Sequence, residues 1–189
     1  MEEFINYVLQ FGNLNKHQTD FILSKAKVAE IRKDEYFSEA GKIPRMVGFI
    51  LEGVVRFCYY NNKGEDITQY FVDENNFVSD QQRFEAQMVA SEYIQAVTHC
   101  RMLTFSKKEW DEIGNTIVGW DAITGLIVKN CLLKTIERRS PLVSEDATAR
   151  YLSFIEHFHG LVNRVPLSYI ASYLGITQQS LSRIRKNIR

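Results

Sequence analysis

The spacing of apolar residues changes twice along the chain. Residues 1–25 place apolar side chains three and four positions apart, as at Phe4, Ile5 and Val8, and this spacing predicts amphipathic helices. Between residues 26 and 105, short runs rich in β-branched and aromatic residues alternate with turn residues, which is typical of strands. The predicted strands are Met46–Ile50, Val54–Tyr60, Ile67–Val72, Tyr93–Val97 and Arg101–Phe105.

Turn residues separate the predicted strands at short intervals. The segment Asn61-Asn62-Lys63-Gly64 lies between Val54–Tyr60 and Ile67–Val72, so we expect these two strands to form a hairpin. Many short strands spaced in this way predict a sandwich, a barrel or a roll. The predicted fold class is α+β, with an N-terminal β-roll of the jelly-roll kind and flanking helices.

Helical spacing returns after Phe105. It predicts a short helix at Lys107–Ile113 and a long one from about residue 116 to about residue 139. The long helix has a wide apolar face that includes Ile117, Trp120, Ile123, Ile127 and Cys131. This face is wider than packing on one side of a roll requires, so we expect part of it to pair with the same helix of a second chain in a homodimer. The alternative is that the whole face covers the roll.

A second domain is predicted to begin near Ser140-Pro141. Proline disfavours a helical residue before it, so the long helix should end or be interrupted there. Ser144 is the expected N-cap of the next helix, about residues 145–158, because two acidic residues follow it. We therefore divide the chain into a β-roll domain with its dimerisation helix, residues 1–142, and a second domain, residues 143–189.

Residues 167–186 carry the pattern of a helix-turn-helix. Ala171 is small and allows a second helix to approach closely, and Gly175 suits the left-handed backbone of the turn. Thr177 is expected to cap the following helix by accepting a hydrogen bond from an N–H group near Ser180.

The second helix of this motif, residues 178–188, has an apolar face and a polar face. The inner positions are Leu181, Ile184 and Ile188. The outer positions suit DNA, because glutamine can pair with adenine, arginine with guanine, and serine with either base edge. We expect base contacts from Gln178, Gln179, Ser180 and Arg183. We expect phosphate contacts from Arg164, Ser168, Thr177, Arg185 and Lys186.

The charge distribution agrees with DNA contacts near the C-terminal end of the chain. The chain is neutral overall, but residues 157–189 hold five cations and no acid. Residues 1–156 consequently carry a net charge of −5. An acidic body with a basic end indicates that only this end meets a polyanion.

Other features argue against several classes of protein. The N-terminus lacks a signal peptide and no run approaches the roughly 18 apolar residues of a membrane span, so we expect a cytoplasmic protein without membrane contact. Cys58, Cys100 and Cys131 are too far apart for a metal or iron–sulfur site and are expected to be small buried side chains. His99 is the only histidine in the predicted roll, which argues against a cupin-like enzyme with clustered metal ligands.

The sequence resembles the Crp/Fnr family of bacterial transcription regulators over nearly its whole length, in the form typical of Bacteroidetes members. Gly48–Arg56 is similar to the β-roll signature of the family, the helix near residues 116–139 to its dimerisation helix, and Val165–Thr177 to its helix-turn-helix. The resemblance implies a homodimer that binds a palindromic site on double-stranded DNA through residues 178–188. It also implies a small-molecule effector in the roll, contact with RNA polymerase, and a DNA phosphate near Thr148.

Two departures from the family pattern concern the effector and the DNA contacts. Members that bind cyclic AMP hold it with a Gly-Glu pair and an Arg-Ser pair, where this chain has Ser79-Asp80 and Ala90-Ser91. Because the arginine that neutralises the phosphate is missing, we expect no cyclic nucleotide, although Arg83 or Arg101 could substitute. The candidate effector pocket is Ser79, Asp80, Arg83, Ala90 and Ser91, and no cofactor is identified. The sequence ends at Arg189, within or just after the last predicted helix, so the helix-turn-helix domain is expected to lack the full β wing of the family.

One alternative function stays open at this point. The chain could be a small-molecule sensor that acts through a protein partner and binds DNA weakly, with a shallow salt dependence. A DNA-binding regulator would show a steep salt dependence, because each phosphate contact releases counterions.

Overall fold

The computed structural model describes residues 1–188, except for the side chains of residues 139–143. The strands are β1 (Lys27–Ile31), β2 (Tyr36–Ser38), β3 (Met46–Glu52), β4 (Val55–Tyr60), β5 (Asp66–Val72), β6 (Phe77–Val78), β7 (Tyr93–Ala96) and β8 (Cys100–Ser106). The helices are α1 (Glu2–Val8), α2 (Lys16–Lys25), α3 (Gln81–Ala86), α4 (Lys107–Thr116), α5 (Trp120–Ser144), α6 (Ala147–His157), α7 (Leu167–Leu174) and α8 (Gln178–Ile188). The strands form two four-stranded antiparallel sheets, in the orders β1-β8-β3-β6 and β2-β7-β4-β5. The α+β class and the β-roll are thereby confirmed.

The five predicted strands are all present, with ends within two residues of those observed. The predicted hairpin is β4–β5, in which Val55 pairs with Val72 and Tyr60 with Asp66. Strands β1, β2 and β6 and the helix α3 were not predicted. With two to six residues each, they are too short to show a hydrophobic period.

Alternation along the strands gives the sheets apolar residues on both faces. Ile50 and Met102 point between the two sheets and form the inner core of the roll. Phe49 and Leu103, one position away, point outward into a second core with Trp120 under α1, α4 and α5. The roll is therefore packed inside and also covered by helices outside.

The long helix differs from the predicted one. It begins at Trp120, not near residue 116, and continues through Pro141 to Ser144. The predicted break near Ser140-Pro141 is therefore wrong, because a proline removes one helical hydrogen bond without always ending the helix. The side chains of these two residues lie outside the described part of the chain.

Helix α6 also begins later than predicted. Its N-cap is Asp146, whose carboxylate accepts hydrogen bonds from the N–H groups of Thr148 and Ala149 at 2.8 and 3.0 Å. The predicted cap, Ser144, is instead the last residue of α5. Aspartate caps as well as serine does, so composition did not distinguish the two positions. The division into residues 1–142 and 143–189 stays a prediction.

A third core joins α6, α7 and α8 to the outer face of the sheet β2-β7-β4-β5. Phe71 of β5, Val54 just before β4 and Val97 just after β7 are buried there together with Phe154 and Tyr173. This core fixes the C-terminal helices on the roll. Within residues 1–188, no helix combines the length and apolar character that crossing a bilayer requires.

The close approach of Gly53 to the start of β8 gives a stability prediction. Gly53 has φ +107°, and a Cβ there would stand 2.5 Å from the His99 carbonyl oxygen and 2.8 Å from Cys100 Cα. We expect Gly53→Ala to lower the free energy of unfolding by roughly 3 kcal/mol, because it combines a disfavoured backbone conformation with a backbone clash. Urea denaturation measures the loss.

Gly41→Ala is the matched control for this experiment. Gly41 has φ +81°, but a Cβ there meets no atom within 4 Å. Only the conformational cost remains, about 1 kcal/mol. Equal losses of unfolding free energy for the two variants would show that the close approach of Gly53 to the start of β8 does not affect stability.

Candidate nucleic-acid interface

The predicted turn between α7 and α8 is confirmed in its backbone geometry. Gly175 adopts φ +65°, its N–H donates to the Ser172 carbonyl at 3.1 Å, and the N–H of Ile176 donates to the Ala171 carbonyl at 3.0 Å. The hydroxyl oxygen of Thr177 accepts the N–H of Ser180 at 3.1 Å, as the sequence predicted. Both helix ends at the turn are therefore closed by local hydrogen bonds.

Buried apolar residues hold α7 and α8 together. Ile170, Leu174 and Leu181 are at most 1% exposed, and Ala171 is 2% exposed. Of the other predicted inner residues, Ile184 is half-buried. Ile188 is 41% exposed, which corrects its assignment to the inner face, because it is the last residue of α8.

The predicted base-contacting residues lie on the free face of α8. Gln178, Gln179 and Arg183 are exposed, so they neither pack inside the protein nor face the roll. Ser180 is half-buried, and its hydroxyl lies 2.9 Å from the Thr177 hydroxyl. The N-terminal half of α8 therefore presents two amides and a guanidinium to solvent, the groups that pair with adenine and guanine edges.

The predicted phosphate-contacting residues lie around this face. Thr148, Ser168, Thr177 and Lys186 are exposed, and Arg185 is half-buried. Ser168 stands in the first turn of α7, which has no side-chain cap, so free N–H groups and the helix dipole favour an anion there. At α6 the Asp146 carboxylate already accepts the N–H of Thr148, so Thr148 offers a phosphate its hydroxyl group.

Arg164 is already engaged with the roll. Its guanidinium donates to both carboxylate oxygens of Glu74, through Nη1 at 3.0 Å and through Nη2. Burial acts to raise the pKa of Glu74, but the hydrogen bonds from Arg164 and from the backbone N–H groups of Glu74 and Gly53 together outweigh it and hold the pKa below its usual value. A phosphate contact by Arg164 would have to compete with the Glu74 carboxylate for the guanidinium.

Polar contacts also join α7 to the start of β5. The N–H of Thr68 donates to the Ser172 hydroxyl at 2.9 Å, and that hydroxyl donates to the Asp66 carbonyl at 3.1 Å. Strand β5 is the edge of its sheet, so these groups have no neighbouring strand to pair with. Helix α7 thus covers an edge that would otherwise be open.

A buried arginine lies beneath α7. Arg56 of β4 is 1% exposed and donates hydrogen bonds to Asp66, Thr68 and Gln95, each with a contact at 2.9 Å. The ring of Tyr169 from α7 stacks on the guanidinium at 3.6 Å. The charge is therefore paired within the roll and shielded from water by the helix.

The candidate effector residues do not form a single pocket. Asp80 caps α3 by accepting the N–H of Arg83, which is itself half-buried in that helix. Ala90 is 3% exposed and exchanges backbone hydrogen bonds with residues 41 and 42. Ser79 and Ser91 line different cavities.

The cavity that Ser79 shares with α5 has a volume of about 280 Å³. Its wall is mainly apolar, with Phe57 and Phe77 from the roll and Leu132 from α5, and Lys134 and Arg138 supply positive charge. Ser91 lines a separate groove whose wall includes Glu92 and three tyrosines: Tyr59, Tyr60 and Tyr93. The two serines therefore cannot hold one small ligand together.

Comparison with known proteins gives matches in structure only. No protein-family model matches the sequence. No curated protein matches it either. The structure, in contrast, matches many solved structures over most of the chain.

Three of these structures come from bacterial regulators. FixK2 from Bradyrhizobium japonicum has a TM-score of 0.74 and 15% identity, over 86% of this chain and 84% of that chain. The c-di-GMP-responsive global regulator CLP from Xanthomonas campestris has a TM-score of 0.72 and 15% identity, over 92% and 91%. A protein from Eubacterium rectale, described as a transcriptional regulator of the Crp/Fnr family, has a TM-score of 0.73 and 13% identity, over 96% and 87%. The chain has the Crp/Fnr fold.

Within this Crp/Fnr fold, one face of α5 is used by the roll. The residues expected at a dimer interface are largely buried in the chain itself: Ile117, Trp120, Ile123 and Ile127 are at most 6% exposed, and Cys131 is half-buried. Their assignment to a free dimer face is therefore corrected, because they pack in the core that the outer face of the roll forms with α1 and α4, and Ile117 lies before α5. A different set of apolar residues, which we call the exposed stripe, is 48–58% exposed: Leu126, Leu132, Leu133 and Ile136.

The sequence analysis missed the groups that dock the C-terminal helices of the Crp/Fnr fold on the roll. Tyr169, Ser172 and Glu74 gave no signal, because their partners lie far away in sequence. Arg56 gave a weak one, since it is a cation inside the apolar run Val54–Cys58. A charge in such a run needs partners when buried, but the sequence does not say which.

The cap at the turn gives a prediction for the stability of α8. Thr177→Val keeps the shape of the side chain but loses the oxygen that accepts the Ser180 N–H. We expect it to lower the free energy of unfolding by about 1 kcal/mol, as for other N-caps, whereas Thr177→Ser should leave it nearly unchanged. Chemical denaturation followed by circular dichroism measures both. A Thr177→Val protein as stable as the parent would mean that the cap contributes nothing.

Proposed function

We propose that the chain is a DNA-binding transcription regulator, not an enzyme, that acts as a homodimer in the cytoplasm. The observation that carries the proposal is the free face of α8, where Gln178, Gln179 and Arg183 project from a well-packed helix-turn-helix. Such a helix fits the major groove with its N-terminal residues at the base edges. The similar structures, which are named as regulators of gene expression, support the same function.

The dimer is proposed to form through the exposed stripe of α5. Leu126 and Leu133 are seven positions apart, and Ile136 follows three positions later, the spacing of a two-helix seam. Two-fold pairing through this seam would present two copies of α8, and a palindromic site with half-sites one helical turn apart, about 34 Å, would match them. Contact with RNA polymerase is part of the same proposal.

An effector, in this proposal, occupies the cavity between the roll and α5 and is not a cyclic nucleotide. The residues that would hold ribose and phosphate, near Ser79 and Ser91, line separate cavities. Beside Ser91 stands Glu92, a carboxylate hydrogen-bonded to Gln69. An anionic phosphate would be repelled there, since no arginine replaces the missing one.

Selection of bound sites from random DNA tests the function directly. We expect a consensus with two-fold symmetry and a binding constant that falls steeply with salt. Weak binding with a shallow salt dependence and no consensus would favour a sensor that acts through a protein partner.

Substitutions on α8 separate base recognition from phosphate binding. Arg183→Ala should weaken binding to the selected site by roughly 1–3 kcal/mol and relax base choice, because it removes a two-point contact to guanine. Lys186→Ala should weaken binding to selected and random DNA about equally. Fluorescence anisotropy with both DNAs measures the difference. Equal losses of affinity on both DNAs for Arg183→Ala would show that Arg183 does not recognise a base.

A charge in the exposed stripe tests the dimer. Leu133 is 50% exposed in the single chain, so Leu133→Glu should leave the fold intact and yield a monomer by sedimentation. Val118→Glu is the matched control, because Val118 is 95% exposed and lies outside α5. If Leu133→Glu stays a dimer, the seam is elsewhere. Ile127 is unsuitable for this purpose, since it is 5% exposed and a charge there would disrupt the core.

A further inference from the structure

Strand β5 contacts the C-terminal helices along its whole length. At its start, Asp66 and Thr68 bind the Ser172 hydroxyl. Near its end, Phe71 packs on Tyr173 with ring centroids 5.6 Å apart. Two residues beyond its end, Glu74 pairs with Arg164. One strand therefore holds the helix-turn-helix unit, residues 147–188, at three points.

The polar contacts between β5 and the C-terminal helices can break without leaving a buried charge unpaired. The hydrogen bonds of Arg56 all go to side chains of the roll, Asp66, Thr68 and Gln95, so the guanidinium keeps its partners if Tyr169 moves away. An uncompensated buried charge would cost several kcal/mol and would block such a movement. The aromatic contact of Phe71 opposes the movement, so the docked position is the resting one.

The docking contact also occupies Arg164, which is one of the cations at the basic end of the chain. Arg164 commits its charge and a two-point contact to Glu74, and the Glu74 carboxylate repels a DNA phosphate that approaches the same guanidinium. The two partners therefore compete, and by linkage each weakens the binding of the other by the same factor.

We infer that the roll restrains its own helix-turn-helix unit: Glu74 and Ser172 hold the unit docked on β5, and DNA must displace Glu74 from Arg164 to gain a phosphate contact. This inference rests on the proposed function and names its regulation. Whatever loosens the contact at β5 raises DNA affinity, and bound DNA loosens that contact.

Glu74→Gln tests the ion pair with a side chain of the same shape. The amide oxygen can still accept the Gly53 N–H, which donates to Glu74 at 2.7 Å, so the turn before β4 is preserved. We expect DNA affinity to rise about fivefold or more, because the variant has no ion pair to break, while the slope of log K against log salt stays the same, because Arg164 contacts the same phosphate in both complexes.

Two further variants separate this effect from a simple loss of negative charge. Glu52→Gln changes the charge equally, but Glu52 is 67% exposed and faces Arg101 within the roll, so it should leave DNA affinity nearly unchanged. In an Arg164→Gln background, Glu74→Gln should no longer raise affinity. Ser172→Ala changes no charge and should raise affinity in the same direction as Glu74→Gln.

A measurement without DNA tests the docking itself. The amide of Thr68 donates to Ser172 in the docked position, so its hydrogen exchange reports release of the unit. We expect faster exchange in Glu74→Gln, and in the parent protein when DNA is added. A DNA affinity and a Thr68 exchange rate that match those of Glu52→Gln would overturn the inference. Failure of every variant, the parent included, to bind any DNA would instead overturn the proposed function, and the Thr68 amide would still show whether Glu74 holds the unit.

Discussion

Phe71 stands on the outer face of β5 with no exposed surface, enclosed by Phe154, Phe158 and Tyr173. A ring of this size contributes about 2–3 kcal/mol when it is buried, and it is buried only because α6 and α7 cover the sheet. The buried charge of Arg56 depends on the same cover. Because α7 packs against the roll, α8 stays on the side of the helix-turn-helix unit away from this contact, and its exposed residues include the base-contacting groups.

Local physics made much of this fold predictable from the sequence. Runs of β-branched and aromatic residues between turns predict the strands β3, β4, β5, β7 and β8. Successive residues in such a run lie on opposite faces of the sheet, so the run itself indicates which residues share a face. The turn after α7 follows from Gly175, which alone tolerates φ +65° without strain, and from the Thr177 cap. In both cases the interacting atoms lie within a few residues of each other, so spacing is enough.

Long-range partners were not predictable in the same way. Helix α5 is apolar around most of its circumference, and periodicity does not say which side meets the roll. The side with Ile123 and Ile127, where the sequence analysis placed the dimer interface, is buried, and the side with Leu133 is exposed. The ion pair of Arg164 joins residues 90 positions apart, and neither residue type is unusual at its own position. For such contacts, only the fold supplies the information.

Arg138 contacts both the cavity beside α5 and the aromatic residues that enclose Phe71. Its side chain lines the cavity beside α5, its guanidinium lies 4.5 Å from the centre of the Phe158 ring, and its carbonyl accepts the hydroxyl of Tyr173 at 3.2 Å. Phe158 and Tyr173 in turn enclose Phe71 at the docking surface. A molecule that enters the cavity therefore meets a side chain that also supports the docked unit, and an anion would draw on the same positive charge that stabilises Phe158. One residue of α5 therefore contacts both the cavity and the aromatic residues that enclose Phe71.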